Sequence, residues 1–423
     1  MTDDTPRRLG QKAVMLKRVL FVHSNFPAQF RDLARDLVAR GVECAAIGAV
    51  QAPGLPGVRL AKWSNAKGST PGIFPLATRA EADFIRGRAA LDAALALKAE
   101  GFEPDLIIGH PGWGETVFLA EPFPNARRIV FSEMFYQGRG GDIDFDGEFI
   151  TPTFEMILAG TSKNAVMALA LSQADAIVCP TPYQASTHPD VFRARTHLIH
   201  EGVDTQAIQP GPARPLVLPD GTVIAPGTPV ITHVNRHLEP LRGLHILLRA
   251  LPRLQAEVPD ARVLIVGSED TRGYSGSTPD GRSWKAHCLD GLEDRLDLSR
   301  VHFLGRLPHE EMLAALRLST AHVYYSYPFV LSWSLLEAMA SGCYLIGSDT
   351  PPVRDAIEDG VNGKLLGFFD VDALSAALID ACRRPGAFAA QRAAARETAV
   401  ERFDAAAGRA AWLALIDEVM APA

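Results

Sequence analysis

Short apolar runs alternate with amphipathic stretches along most of the chain. Between Phe30 and Leu37 apolar residues recur at helical spacing, which predicts a helix over Gln29–Ala39. Strands that alternate with helices indicate a parallel sheet covered on both faces. In the first half of the chain, six apolar runs predict such strands: Arg18–His23, Val42–Ile47, Asp105–Gly109, Arg128–Ser132, Ala176–Cys179 and Thr196–His200.

The pattern changes between Thr205 and Pro229, where proline and glycine are frequent. An Asp-Gly pair at Asp220 and Gly221 predicts a turn, so this region is interpreted as a linker with a small hairpin. A second set of strands follows: Val230–Val234, Arg262–Val266, Val301–Leu304, Ala321–Tyr325, Tyr344–Gly347 and Lys364–Leu366. The chain is therefore predicted to be α/β, with two doubly wound, Rossmann-like domains.

The remaining segments have distinct compositions. Residues 1–16 are predicted to be a disordered leader, and Thr271–Leu292, which is polar and rich in glycine, to be a surface loop. From Ala387 to Met420 the sequence is rich in alanine and helical in pattern. We expect an N-terminal domain over residues 17–207, a linker over 208–229, a second domain over 230–395 and a C-terminal helix over 396–423.

Composition narrows the class of protein. With 423 residues, 47% hydrophobic and 22% charged, the chain is long enough for two packed domains. A formal charge of −7 argues against nucleic acid as a partner, although it allows a local basic pocket. No run of about 18 apolar residues and no signal peptide is predicted, which leaves only peripheral membrane contact open.

The cysteines are scattered and show no C-x-x-C spacing, so neither a zinc site nor a redox motif is indicated. We expect buried free thiols, which fits a reducing cytoplasm. The five are Cys44, Cys179, Cys288, Cys343 and Cys382.

Two arginines follow the first strand of the second half. Arg236 and Arg242 lie in the phrase NRHLEPLRG, which is predicted to be a strand-to-helix loop with Gly243 near the start of the helix. Ligands of open α/β sheets bind at the carboxyl ends of strands, and helix N-termini favour anions. The pair suits a diphosphate, but the two arginines taken alone fit solvated loop residues better.

A carboxylate follows another strand of this half. Glu337 lies early in the helix predicted from LLEAMASG, with Gly342 near its C-terminus. There it either complements the helix dipole or accepts hydrogen bonds from two vicinal hydroxyls, as acidic residues do for ribose.

Together these phrases resemble a known family. IHEGVDTQAIQP, VNRHLEPLRGLHILLRALPRL, LIVGSE, VHFLGRLP, LLEAMASGCYLIGSD and IEDGVNGKLL follow the order and spacing of the family 4 retaining glycosyltransferases. LFVHSNFPAQFRDLA, PDLIIGHPGWGE and FSEMFY look like a bacterial subgroup of that family. The resemblance covers about residues 18–415. It implies the GT-B fold, two Rossmann-like domains facing across a cleft, with the C-terminal helix returning to the N-terminal domain.

On the donor side, the resemblance implies that Arg236 and Arg242 bind the diphosphate of a nucleotide sugar without a metal ion or other cofactor. Arg242 stands where a lysine is usual. Glu337 would hold the ribose, and Gly243 and Gly267 would line the donor site. The resemblance also implies a second glutamate eight positions before Glu337, where this chain has Phe329. The donor sugar must then meet other groups, for which the candidates are Ser332, Ser334 and the backbone amides of Val330, Leu331 and Ser332.

On the acceptor side, His110 follows a strand at a position where the family often has a histidine, and Trp113 is close to it in sequence. Glu133 ends the next strand, where many relatives have a histidine that contacts the transferred sugar. Either residue could instead be structural. Three polar residues flank the loop after the first strand, which faces the cleft in this fold: His23, Asn25 and Gln29.

The predicted function is transfer of a sugar, with retention, from a nucleotide-diphosphate donor to a hydroxyl of a sugar, lipid-linked or protein acceptor. The family suggests polysaccharide, glycolipid or glycoprotein assembly, in the cytoplasm or at the inner face of the membrane. Because of Phe329, a nucleotide-sugar-binding pseudoenzyme or assembly partner stays an alternative, and another enzyme of the same fold, such as a nucleotide-sugar epimerase, is a further one. A dehydrogenase is disfavoured because HSNFPAQF is not a Gly-x-Gly-x-x-Gly turn.

Overall fold

The computed structural model describes residues 16–65, 68–270, 273–278 and 280–422. The expected leader lies outside this range except for Leu16. Seven parallel strands form the first sheet, in the order β3-β2-β1-β4-β5-β6-β7. Their bounds are β1 Arg18–Val22, β2 Glu43–Ala49, β3 Val58–Trp63, β4 Leu106–Gly109, β5 Arg127–Phe131, β6 Ala176–Cys179 and β7 Thr196–Leu198.

Both faces of this sheet are covered, as predicted. Val19 and Phe21 of β1 belong to one buried cluster, and Leu20 and Val22 to another on the opposite face. Strand β3 was not predicted. The helices of this half are α1 Arg31–Ala39, α2 Thr78–Ala99, α3 Phe154–Ser162, α4 Ala165–Ser172 and α5 Pro182–Ser186.

The linker contains the predicted hairpin. Strands β8 (Leu216–Val217) and β9 (Val223–Ile224) pair antiparallel around Asp220 and Gly221. Gly221 has φ +85°, a backbone conformation that glycine adopts without steric cost.

The second sheet has six parallel strands in the order β12-β11-β10-β13-β14-β15. They are β10 Val230–His237, β11 Arg262–Ser268, β12 Val301–Phe303, β13 Ala321–Tyr324, β14 Leu345–Ser348 and β15 Lys364–Leu366. The helices of this half are α6 Leu244–Glu257, α7 Trp284–Leu289, α8 His309–Leu318, α9 Trp333–Ala340, α10 Pro351–Arg354, α11 Val371–Arg383, α12 Ala389–Arg402 and α13 Ala405–Met420.

The prediction of a surface loop over Thr271–Leu292 was wrong in part. The segment contains α7, and Trp284 is buried with its Nε1 donating to the carbonyl of Gly276 at 2.9 Å. The buried Trp284 holds this segment against the core, and the helix was not predicted because the segment is mostly polar.

The C-terminal helical stretch divides between the two halves. Helix α12 packs on α9, whereas α13 packs on α1 of the first half. Trp412 of α13 lies against Phe30 and Phe131, with ring centroids 6.3 Å from each. The change of direction occurs at Phe403 and at Asp404, which caps α13 by accepting two backbone N–H groups.

All five cysteines are buried free thiols, as predicted. Among the described residues, no helix is long and apolar enough to cross a membrane.

Candidate active site

The carboxyl edge of the second sheet is the candidate donor edge. Strand β10 extends to His237, so Arg236 belongs to the end of the strand and not to the loop that the sequence predicted. Its side chain is exposed and makes no ion pair or side-chain hydrogen bond with any described residue. Arg236 therefore presents an unpaired positive charge at this edge.

Arg242 is held quite differently. It is buried, and its Nη1 donates to the Tyr324 hydroxyl and to Ser326 Oγ, both at 2.9 Å. Its Nη2 donates to the carbonyl oxygen of Val330 at 3.1 Å. A guanidinium has five N–H donors, so the Nε–H and one Nη2–H have no protein partner in the part of the chain described. Arg242 is thus a fixed cation with two donors left for a ligand.

Gly243 joins this arginine to α6. Its φ is +70°, and a Cβ there would lie 2.3 Å from the Cβ of Tyr325. Only glycine fits both constraints, and it lets α6 begin directly behind Arg242 with its N-terminus at the sheet edge. Gly267 has a packing role, because a Cβ there would lie 2.7 Å from Leu238.

Phe329 does not occupy the cleft as a substitute for a carboxylate. It is 7% exposed, its ring lies 5.7 Å from the Arg242 guanidinium, and Tyr274 packs on it at 5.0 Å. Ser332 caps α9 by accepting the N–H of Ser334, and its own N–H donates to Tyr324. The N–H groups of Val330 and Leu331, both half-buried residues, have no hydrogen-bond acceptor among the described residues.

Glu337 lies one turn into α9, not in the first turn. Its Oε1 is 2.7 Å from Nε2 of His309, the first residue of α8. Burial raises the pKa of Glu337, and the His309 contact offsets part of that rise. His309 was missed, although it directly follows the VHFLGRLP phrase.

The carboxyl edge of the first sheet is the candidate acceptor edge, where five predicted residues meet. The ring of His110 stacks on Trp113 at 4.3 Å and lies 5.5 Å from the ring of His23. Nε2 of His110 is 3.4 Å from Oε2 of Glu133, whose Oε1 accepts from the Gln29 amide at 3.0 Å. The side chain of Asn25, by contrast, is exposed, and only its backbone N–H joins the group, donating to His23 Nδ1.

The charges of this edge follow from its hydrogen bonds. Nδ1 of His23 and Nδ1 of His110 each accept a backbone N–H, which leaves the proton on Nε2 in the neutral rings. Burial, reinforced by His110, lowers the pKa of His23 to about 3. Burial would raise the pKa of Glu133, but His110 and Gln29 outweigh it and the pKa is lowered. The edge therefore combines the neutral imidazole of His23 with an ionised carboxylate at Glu133.

The two edges adjoin. Met134, next to Glu133 in the chain, is buried in the same cluster as Tyr327 and Phe329 of the donor edge. Within the described residues, no three His, Cys, Asp or Glu side chains form a group that could hold a metal ion.

Comparisons with known proteins agree with this architecture. Residues 40–208 match the family model described as glycosyl transferase family 4 group, and residues 219–401 match glycosyl transferases group 1. The chain is 33% identical over 153 residues to the phosphatidyl-myo-inositol mannosyltransferase of Mycolicibacterium smegmatis, 35% of each protein. It is 30% identical over 236 residues to the D-inositol 3-phosphate glycosyltransferase of Nocardia farcinica, 53% of this chain and 50% of that one. The matches thus span about a third to a half of these curated relatives.

Solved structures share the fold over the whole length. Sucrose-phosphate synthase from Thermosynechococcus elongatus superposes with a TM-score of 0.71 at 17% identity, covering 95% of this chain and 99% of that one. Anabaena HepE in complex with UDP and glucose gives 0.66 at 15% identity, with 95% and 100% covered. At these identities the likeness shows the fold alone. With two glycosyltransferase models matching in tandem on two facing Rossmann-like domains, the chain belongs to the family 4 glycosyltransferases of GT-B fold.

Proposed function

We propose that this chain transfers a sugar from a nucleoside-diphosphate donor to a hydroxyl acceptor, with retention at the anomeric carbon. One observation carries the proposal: Arg236, Arg242, the N-terminus of α6 and Glu337 converge on one sheet edge. Two cations and a helix N-terminus fit a diphosphate, and a carboxylate fits a pair of ribose hydroxyls.

The donor edge stabilises the leaving group. The unpaired guanidinium of Arg236 and the two remaining donors of Arg242 bind phosphate oxygens, and they neutralise the charge that develops as the sugar departs. The protein supplies these cations itself, so the proposal needs no metal ion or other cofactor. Glu337 has Oε2 left for ribose, because His309 contacts Oε1.

The sugar of the donor meets a less polar surface than the resemblance implied. Phe329 points inward against Arg242, and the Ser332 hydroxyl is engaged in capping α9. The unpartnered N–H groups of Val330 and Leu331 are therefore the proposed contacts to the sugar.

The acceptor edge positions hydroxyl groups. Glu133 accepts a hydrogen bond from a hydroxyl, and the Nε2–H of His23 donates one. We assign no nucleophile to the protein, in keeping with the family resemblance. The acceptor oxygen bonds to the anomeric carbon as the bond from that carbon to the phosphate oxygen breaks, and the acceptor proton passes to the leaving phosphate. Holding both substrates in this geometry is the main contribution of the protein.

The acceptor is proposed to be a sugar, lipid-linked or protein hydroxyl. One relative is named for phosphatidyl-myo-inositol and others for D-inositol 3-phosphate, which supports a polar alcohol. We place the reaction in the cytoplasm or at the inner face of the membrane, within polysaccharide, glycolipid or glycoprotein assembly.

A donor screen tests the proposal. Purified protein is incubated with UDP-, GDP- and ADP-linked sugars and simple alcohol acceptors, and the product is examined by proton NMR. We expect one donor to be consumed with retained anomeric configuration. Inversion would contradict the mechanism, and donor binding without turnover in the presence of acceptors would favour a binding protein instead.

A further inference from the structure

A segment of the first half reaches across to the second. Residues 142–149, between β5 and α3 and here called the strap, pack on the core of the second half. The ring of Phe145 lies 4.9 Å from Tyr327 and 5.1 Å from Phe368. Phe149 lies 5.3 Å from His245 of α6.

Between these two aromatic anchors, the strap buries a carboxylate in the other domain. The Asp146 side chain is 4% exposed, and its Oδ2 accepts from the Tyr327 hydroxyl at 2.5 Å. The same oxygen lies 3.2 Å from Nε2 of the fully buried His245. Burial opposes ionisation, but His245, Tyr327 and the N–H of Glu148 outweigh it and lower the pKa of Asp146 to about 2.

Hydrogen bonds connect Tyr327, which contacts Asp146, to Arg242 and to the residue before it. The N–H of Tyr327 donates to the carbonyl of Leu241 at 2.9 Å, which fixes the residue before Arg242. Ser326 Oγ donates to the carbonyl of Tyr327 and accepts from Arg242 Nη1, both at 2.9 Å. His245 lies in the first turn of α6, three residues after Arg242. The Asp146 carboxylate therefore contacts His245, which follows the turn at Arg242, and Tyr327, which is hydrogen-bonded to the residue before that turn.

We propose that Asp146 is a positioning residue for the donor diphosphate site, acting through Tyr327 on Arg242 from the opposite domain. The inference rests on the proposed function. Its physical basis is that Arg242 has three protein partners, and the backbone of two of them is set by the loop that Tyr327 anchors. Loss of the Asp146 contact frees this loop, so the guanidinium must be ordered again when the diphosphate binds.

The test measures binding of UDP, GDP and ADP, and of the corresponding nucleosides, by calorimetry. For the diphosphate that binds, Asp146→Ala and Tyr327→Phe should each weaken affinity roughly threefold to tenfold, since each removes the same hydrogen bond. The double variant should bind no more weakly than Asp146→Ala alone, because Tyr327→Phe removes nothing further. Affinity for the nucleoside, which does not reach Arg242, should stay unchanged.

Two further variants separate positioning from general loosening. Asp146→Asn keeps an oxygen that accepts from Tyr327 and should recover most of the affinity. Glu148→Gln weakens the other polar anchor of the strap, the ion pair with Arg249, and should leave diphosphate affinity near wild type.

Three results would overturn the inference alone: unchanged diphosphate affinity in Asp146→Ala, additive losses in the double variant, or equal losses for nucleoside and diphosphate. Wild-type protein that binds none of the three diphosphates would contradict the proposed function and the inference with it.

Discussion

The donor edge and the acceptor edge occupy the same position on two sheets of the same type, yet their electrostatics are opposite. The donor edge presents Arg236 and Arg242, which stay protonated at any physiological pH. The acceptor edge presents the neutral imidazole of His23 and the ionised carboxylate of Glu133. Equivalent edges of one fold thus differ in charge because the residues that follow each strand differ, and we propose that one binds an anion and the other a set of hydroxyls.

The largest effect is expected at the donor edge. Arg236→Ala and Arg242→Ala should each cost at least about 2.7 kcal/mol of transition-state stabilisation, roughly a hundredfold in kcat/KM. Arg242→Lys keeps the charge but lacks the planar fork that reaches three partners. Its loss of kcat/KM should therefore be measurable but smaller than that of Arg242→Ala. Steady-state kinetics measures kcat/KM for all three variants. The control is Arg253→Ala, which changes an exposed arginine of α6. Near-normal activity in both alanine variants would remove the proposed diphosphate site.

The next effect is expected at the acceptor edge. Glu133→Gln removes the charge that His110 and Gln29 stabilise. It should raise the activation free energy that corresponds to kcat/KM for the acceptor by about 1.5–3 kcal/mol. Affinity for the nucleoside diphosphate should not change. Glu121→Gln, on the surface of the same domain, serves as the control. A loss confined to donor binding would show that Glu133 belongs to the other edge.

Glu337 should give a smaller change, specific for the ribose. Glu337→Ala should weaken the binding of nucleoside and diphosphate alike by about 1 kcal/mol. Since the carboxylate form binds hydroxyls and burial raises its pKa, wild-type affinity should fall with decreasing pH, starting above the usual range of a glutamate. Calorimetry across pH 4 to 8 should show this dependence in wild type and lose it in Glu337→Gln. An unchanged pH profile in Glu337→Gln would show that another group titrates.

The smallest effect concerns Phe329. Restoring the family carboxylate by Phe329→Glu would place it against the Arg242 guanidinium, where it competes with the phosphates. We expect severalfold weaker diphosphate binding and no new preference for a sugar, whereas Phe329→Leu should stay close to wild type. Improved turnover in Phe329→Glu would show that the side chain can turn into the cleft.

The sequence predicted the architecture well because the periodicity of buried strands is local. All twelve predicted strands are present and differ from the structure only at their ends or not at all. The turn at Gly221 and the helical C-terminal stretch are also present. Strand β3 was missed because VRLAKW mixes polar and apolar residues, as suits an edge strand with one buried residue. The largest differences at an end are at the predicted strands Val230–Val234, which extends to His237, and Thr196–His200, which ends at Leu198.

The candidate site was predicted less completely. The order of the phrases was enough to propose Arg236, Arg242, Glu337, His110 and Glu133 as site residues. Which of them are paired depends on contacts between residues far apart in sequence. The burial of Arg242 between Tyr324 and Phe329, the His309 contact and the carboxylate of Asp146 have no local signal.

The most direct test of the account compares one nucleoside diphosphate with its nucleoside. UDP, GDP and ADP are titrated into wild-type protein, and the one that binds is compared with its nucleoside on wild type and on Arg236→Ala. The account predicts that the diphosphate binds wild type much more tightly than the nucleoside and that Arg236→Ala removes most of this difference. Equal affinities for the two ligands on wild type, or a difference that Arg236→Ala leaves intact, would contradict it.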